Sequence, residues 1–528
     1  MLLEKLQAIQ GSLFKESCST FQLMIYAVTS IVVYVLYRHL KLAYLGRKLK
    51  AAPAPSLPSA GFFNSRPAIT VLKYKREGRL LEFLWGLFYG DNENFSVRIG
   101  GKTLFATSDP ENIKALLATQ FNDFELGVRH SHFKPLLGDG IFTLDYDGWK
   151  HSRALLRPNF SREKIGHTKA LESHVQALFY HVKATNGAPF DIQNLFFKIT
   201  VDTATEFLFG HSAHSLRDGT LEQFEEQFEG ERDFYRAFNC AQETLASRAW
   251  LQQWYWLICP RSFLDNCKVV HNFADFYVNK ALSMSPEEVE KKSETSYTFL
   301  YELVKSTRNP RALRDQLLNI MIAGRDTTAG LMSFTMFELA RNPDVWEKLK
   351  QEIHEHFGSG KEARTEDMTF ETLKKCNYLK NVINEVLRLY PSVPVNYRFA
   401  NKNTTLPRGG GKDGSKPVLI EKGECIGYLI VCTHRNEKYF GKDAHVFRPE
   451  RWDDKSLKPG WAYLPFNGGP RICLGQQFAI TEASYIISRI AQEFPNLRDC
   501  NVEPMKYPPR ITSQLTSSVS AGCCVSLT

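Results

Sequence analysis

Residues 466–475, Phe466-Asn467-Gly468-Gly469-Pro470-Arg471-Ile472-Cys473-Leu474-Gly475, form a glycine-rich loop that feeds into a helical pattern, Gln476-Gln477-Phe478-Ala479-Ile480. A single cysteine in that setting reads as a metal-bound thiolate rather than half of a disulfide. A thiolate needs positive charge and backbone donors. Arg471 stands two residues upstream, and the start of a helix leaves amide N–H groups unpaired beside the sulfur. Haem iron takes a cysteine thiolate as axial ligand, and that ligand favours O–O cleavage. The competing reading is a buried structural cysteine in an ordinary turn.

Working outward, the chain has 528 residues, 43% hydrophobic and 12% aromatic. That composition fits a globular body with a large core and excludes a disordered chain. The net charge of +9 is spread along the sequence, which leaves no nucleic-acid footprint. The eleven cysteines show no CxxC and no CxxCH. They fit a reduced, cytosol-facing protein with a non-covalently held cofactor.

The stretch 21–37, FQLMIYAVTSIVVYVLY, carries no charge and reaches the lower length limit of a membrane-spanning helix. Arg38, His39 and Lys41 follow it, then Arg47, Lys48 and Lys50, with no acidic residue among them. The positive-inside rule places that side in the cytosol. The run starts late and ends on bulky and basic residues, which favours a retained anchor over a cleaved signal. Residues 51–58, with three prolines, read as a stiff extended spacer. The expected organisation is an N-terminal segment 1–20, an anchor 21–37, a basic and proline-rich linker 38–60 and a catalytic body 61–528.

In the body, helical periodicity recurs over 163–185, 192–210, 220–245, 262–281, 311–341, 343–357 and 371–389. Residues 386–446 read as short strands and turns, and 519–528 as a small hairpin. The Gly409-Gly410-Gly411 run lacks the Lys-Ser/Thr of a phosphate loop and reads as a turn between strands. The stretch 311–341 is about 45 Å of helix at its usual rise. At its centre stand Ala323-Gly324-Arg325-Asp326-Thr327-Thr328. Gly324 lets a flat ligand approach the backbone, and Asp326 and Thr327 supply a carboxylate and a hydroxyl. A polar patch whose threonine bonds back to its own helix is the bland alternative. Glu385 and Arg388 share a helix face and can pair.

The loop 466–475 resembles the haem-binding signature Phe-x-x-Gly-x-Arg-x-Cys-x-Gly of the cytochrome P-450 superfamily. Phe466, Gly469, Arg471, Cys473 and Gly475 fill its fixed positions. The segment 323–328 resembles the family's oxygen-activation motif, and Glu385-x-x-Arg388 with Pro449-Glu450-Arg451-Trp452 its ionic triad. Trp149-x-x-x-Arg153 resembles its haem-propionate helix, with Arg398 and Arg471 as further propionate candidates. The resemblance implies a mainly α fold with small β-sheets (α+β), preceded by one transmembrane helix. It implies haem b with Cys473 as the iron's axial ligand, Thr327 handling dioxygen, Asp326 relaying protons, and a structural network of Glu385, Arg388 and Arg451. Strings such as 136–145, 149–158 and 406–411 are similar to fungal microsomal n-alkane and fatty-acid hydroxylases. The implied activity is insertion of one atom of O2 into a C–H bond of a long-chain alkane or fatty acid, at or near its end. A xenobiotic, sterol or secondary metabolite is the alternative substrate, and a non-catalytic haem-binding membrane protein the remaining one. The chain shows no dinucleotide fingerprint of its own. Electrons are therefore expected from NADPH through a separate flavoprotein reductase, with cytochrome b5 as a further donor. The implied location is the endoplasmic reticulum membrane, single-pass, with the body in the cytosol.

Overall fold

The computed structural model describes residues 2–57, 66–88, 93–99, 102–160, 169–217, 226–295, 297–501 and 509–528. Its axis is the helix Pro310–Arg341. Asn309 accepts from the Ala312 N–H at its start, with Pro310 in the first turn, where a missing N–H costs nothing. A helix that is apolar all round belongs in a core, and from Leu313 to Ala340 most of its side chains are buried. Helices Ile192–Phe209, Arg261–Leu282, Asn377–Leu389 and Gln476–Glu493 pack around it.

The strands are short and lie to the side. The largest sheet runs Asn94–Ile99, Lys102–Thr107, Cys425–Tyr428, Asn396–Ala400, Phe124–Glu125. Only Lys102–Thr107 and Cys425–Tyr428 pair in parallel. Strands Thr404–Gly410 and Lys416–Ile420 form a hairpin, with the glycine run at its turn.

Several expectations shift. The pattern read over 220–245 gives a helix only from Phe234 to Leu251, because Gly230 adopts a left-handed φ of 86° and ends any earlier continuity; residues 220–225 lie outside the described residues. The pattern 163–185 yields Lys169–Ala184, its first residues again outside the described ones. The pattern 371–389 is two helices, Phe370–Leu373 and Asn377–Leu389. The Glu352 carboxylate caps the second by accepting the Tyr378 and Leu379 N–H groups at 2.8 and 2.9 Å. Residues 519–528 are not a hairpin. Ser517–Val519 pairs with Ile511–Ser513, while Cys524–Leu527 pairs with Leu497–Asp499 and Phe190–Asp191. Gly522 is a corner whose neighbour Cys523 donates its N–H to Asp191 at 2.8 Å.

The N-terminal helix runs unbroken over Leu2–Leu49. Its span Phe21–Leu49 is long and apolar enough to cross a membrane. The basic end docks on the body: Arg38 and Lys41 both pair with Glu421, at 3.2 and 2.6 Å. The proline segment is extended but stitched to two strands rather than free. Ala52 bridges to Val418 and Ser56 to Ser96, and prolines, lacking an N–H, suit such edge positions.

Candidate active site

The loop 466–475 closes on itself: the Cys473 N–H donates to the Phe466 carbonyl at 3.0 Å. Gly469 has φ of 68°, and a Cβ there would stand 1.9 Å from the Leu117 carbonyl oxygen, so only glycine fits. Cys473 opens onto a cavity of about 800 Å³ lined by Trp149, Arg153, Phe160, Gly469, Pro470 and Leu474 among others. Burial pushes its thiol up, while the Gly475 N–H and the charge of Arg153 pull it down. The helix-start donor is where the sequence placed it. The cation is not: the guanidinium of Arg471 turns away to Asp145 at 2.7 Å and to the Leu144 carbonyl at 2.9 Å. Arg153, which donates to the Ile472 carbonyl at 3.0 Å, is the charge beside the sulfur.

Four arginines converge nearby. Trp149 is buried in helix Tyr146–Leu156, and the guanidiniums of Arg471 and Arg153 lie 4.4 and 6.0 Å from its ring centre. Arg398 is buried on strand Asn396–Ala400, donating among the described residues only to the Tyr397 carbonyl at 2.8 Å. Arg129 joins them, with 2.8 Å to Asn396 Oδ1. Burial and the neighbouring arginines lower Arg471 to about 9, and burial lowers Arg398. Like charges held together out of water demand an anion. Asp145 is the one carboxylate paired within this group among the described residues. Arg129 and Asp145 escaped the sequence reading, because a lone charge looks like any solvated residue until the tertiary fold brings it inside.

On the central helix, Ile320, Ala323, Gly324 and Thr327 are only half-buried amid fully buried neighbours. Their spacing of three and four puts them on one face. A Cβ on Gly324 would meet nothing within 4 Å, so open space lies beside it. Leu474, next to Cys473, packs in the same cluster as Ile320 and Ile322. The Thr327 hydroxyl donates to the Ala323 carbonyl at 2.7 Å, and Ser392 donates to the Thr327 carbonyl at 3.1 Å. Asp326 does not share that face, since successive helix residues point about 100° apart. Its carboxylate is buried against Arg325 Nε at 3.0 Å and Gln242 of helix Phe234–Leu251. Met321, next to Ile320, is fully buried, and Phe124 belongs to a separate core beneath the sheet.

Behind the loop, Arg388 grips Glu385 through two hydrogen bonds of 2.9 and 2.7 Å, both residues fully buried. Arg451 Nε and Trp452 Nε1 reach the same carboxylate at 3.3 and 3.1 Å. His434 is not ligand-like: its Nδ1 meets the Arg388 carbonyl at 3.1 Å, its Nε2 accepts the Leu464 N–H at 2.7 Å, and burial drives it down to about 3.

A thiol at the mouth of a cavity, a cationic cluster short of anions and a helix face opened by Gly324 fit an iron porphyrin with two propionates. The family model described as cytochrome P-450 matches residues 68–516. Cytochrome P-450 52A12 of Debaryomyces hansenii is 55% identical over 490 residues, covering 92% of this chain and 94% of its own length. Cytochrome P-450 52A3-B of Candida maltosa is 54% identical over 497 residues, covering 93% of this chain and 94% of its own. The crystal structure of the cytochrome P-450DA haem domain superposes with a TM-score of 0.73 at 22% identity, covering 90% of this chain and 97% of that one, and so shares the fold. The chain belongs to the cytochrome P-450 family. It is a haem-thiolate monooxygenase with haem b as cofactor, O2 as co-substrate, a hydrophobic substrate, and electrons from a redox-partner reductase.

Proposed function

We propose that this enzyme hydroxylates long-chain n-alkanes or fatty acids at or near the chain end. The observation that carries the reading is the half-buried face of the central helix, where Ile320, Ala323 and Gly324 offer no polar group and Thr327 offers one hydroxyl. Such a wall suits an unfunctionalised alkyl chain, and the strings shared with fungal alkane and fatty-acid hydroxylases support the same class. Cys473 would hold the iron of haem b, which would supply the activation of dioxygen. Arg153, Arg398, Arg471 and Trp149 would hold the propionates, with Arg129 added from the geometry. Phe466 and Gly469 shape the loop, and the Gly475 N–H restrains the sulfur. Thr327 moves a proton at its Oγ1, since a hydroxyl both accepts and donates. Asp326, locked to Arg325 and Gln242, fastens helix Phe234–Leu251 to the central helix in place of the relay expected from the motif.

Titrating the purified enzyme with alkanes and fatty acids of graded length is expected to convert the iron from low to high spin, tightening with chain length. A response to sterols alone, with none to any alkyl chain, would overturn the substrate class. Thr327→Ala is expected to lower product formed per NADPH consumed by about 10²-fold, with Thr327→Ser close to wild type. Equal product yield in all three would remove Thr327 from proton handling.

The reading extends to an NADPH-dependent flavoprotein reductase as donor, cytochrome b5 as a second donor, and the endoplasmic reticulum with the body in the cytosol. The basic residues after Tyr37 support that orientation. Exposed Ile69, Leu72, Trp254, Trp256 and Leu257 give the body an apolar rim. Deleting residues 2–37 leaves the Arg38 and Lys41 pairs with Glu421 in place. The shortened enzyme is expected in the soluble fraction after alkaline carbonate washing of microsomes, and the full chain in the pellet.

A further inference from the structure

We propose that a cavity at the basic end of the anchor helix binds the headgroup of phosphatidylethanolamine. The cavity measures about 340 Å³ and is enclosed by three parts of the chain. The anchor helix contributes Arg38 and Leu42, the proline segment Pro53, Ala54 and Ser56, and the sheets Arg98, Thr103, Glu421 and Glu424 among others. Strand pairing explains why the polar side chains converge. Arg98 stands opposite Thr103 in the antiparallel pair, so the two share a face. Leu104 stands beside Cys425 in the parallel pair, which sets Glu424 next to Thr103. The Glu424 carboxylate accepts the Glu421 N–H at 2.8 Å and a hydrogen bond from Thr103. Glu421 is taken by Arg38 and Lys41. Among the described residues no carboxylate pairs with Arg98, and Glu424 has no cation in direct contact.

The lining selects the chemical class of the ligand. Two guanidiniums and two carboxylates face one space, so the site carries both signs. A headgroup with negative charge alone would meet Glu421 and Glu424. A zwitterion satisfies the two groups left over: its phosphate takes the fork of Arg98, and its ammonium takes Glu424. Burial raises Glu424 to about 7, as expected of a carboxylate short of positive charge. A primary ammonium donates three hydrogen bonds, whereas a quaternary one donates none and is held by aromatic cages. Phe105 is the one aromatic ring among the described lining residues, so the amine is primary.

The position supplies the source. The uncharged run ends at Tyr37, and Leu42 follows within about 8 Å by helix rise. That is the depth of a headgroup layer, roughly 5–8 Å on each side of the hydrocarbon. A phospholipid beside the anchor lays its acyl chains along the exposed face of residues 21–37 and reaches the cavity with its head. The inference goes beyond the proposed reaction and is independent of the substrate class.

Native mass spectrometry of the full-length enzyme in detergent, titrated with dioleoyl lipids, provides the test. The wild type is expected to retain one phosphatidylethanolamine about tenfold more tightly than phosphatidylcholine or phosphatidylglycerol. Arg98→Gln should remove most of that preference, and Glu424→Gln should let phosphatidylglycerol bind as well as phosphatidylethanolamine. Lys102→Gln, a charge change outside the lining, should keep the wild-type ranking. Carbon-monoxide spectra and circular dichroism should be the same for every variant. Soluble glycerophosphoethanolamine should displace the lipid only at far higher concentration; equal potency would replace the lipid by a soluble phosphoester. Equal retention of the three lipids by the wild type, or an unchanged ranking in Arg98→Gln and Glu424→Gln, would overturn the proposal.

Discussion

Replacing Cys473 with alanine is expected to abolish the red-shifted Soret band that the reduced protein gives with carbon monoxide, and to take monooxygenase turnover down to background. Two features make the effect large. Among the described residues Cys473 is the sole thiol or imidazole lining its cavity, and no cluster of His, Cys, Asp or Glu could hold a metal in its place. The loop itself should persist, because its closing hydrogen bond runs from the backbone N–H of Cys473 to Phe466, and alanine keeps it. Unchanged helicity by circular dichroism would therefore accompany the spectral loss. Cys376→Ala, which removes a thiol buried elsewhere, should keep the band. Retention of the band in Cys473→Ala would dismiss the sulfur as ligand.

Glu385→Ala is expected to cost about 3–5 kcal/mol of stability. The carboxylate accepts five hydrogen bonds, two from Arg388 and one each from Arg448 N–H, Arg451 and Trp452. Its removal leaves Arg388 fully buried with only carbonyl partners, those of His434, Ala444 and Val446. Arg451 keeps Asp443 at 2.7 Å, so the loss concentrates on Arg388. The ordering of variants is the sharper expectation: replacing Glu385 and Arg388 together by apolar residues should cost less than Glu385→Ala alone, because it is the stranded charge that is expensive. Urea unfolding followed by the Soret band measures both. A single-variant cost below about 1 kcal/mol would put the pair in the class of solvated surface bridges.

How much was legible differs between elements for physical reasons. The central helix could be read almost to the residue, since a long apolar run between Asn309-Pro310 and Asn342-Pro343 has local start and stop signals. Helix Asn377–Leu389 could not be bounded so well. Its cap comes from Glu352, which is remote in sequence. The final strands were misassigned for the same reason: Gly522 announces a turn, yet the partners of Cys524–Leu527 lie at Leu497–Asp499 and Phe190–Asp191.

The site divides along the same line. The loop 466–475, the spacing of Glu385 and Arg388, and the Gly324 opening are local patterns, and each is set by backbone sterics or helix periodicity that short stretches of sequence encode. Which arginine faces the sulfur, where Asp326 points, and the gathering of Arg129, Arg153, Arg398 and Arg471 were decided only by tertiary structure. Side-chain direction on a helix depends on the partner it finds. Asp326 found Arg325 and Gln242, Arg471 found Asp145 and Trp149, and the charge beside Cys473 was left to Arg153.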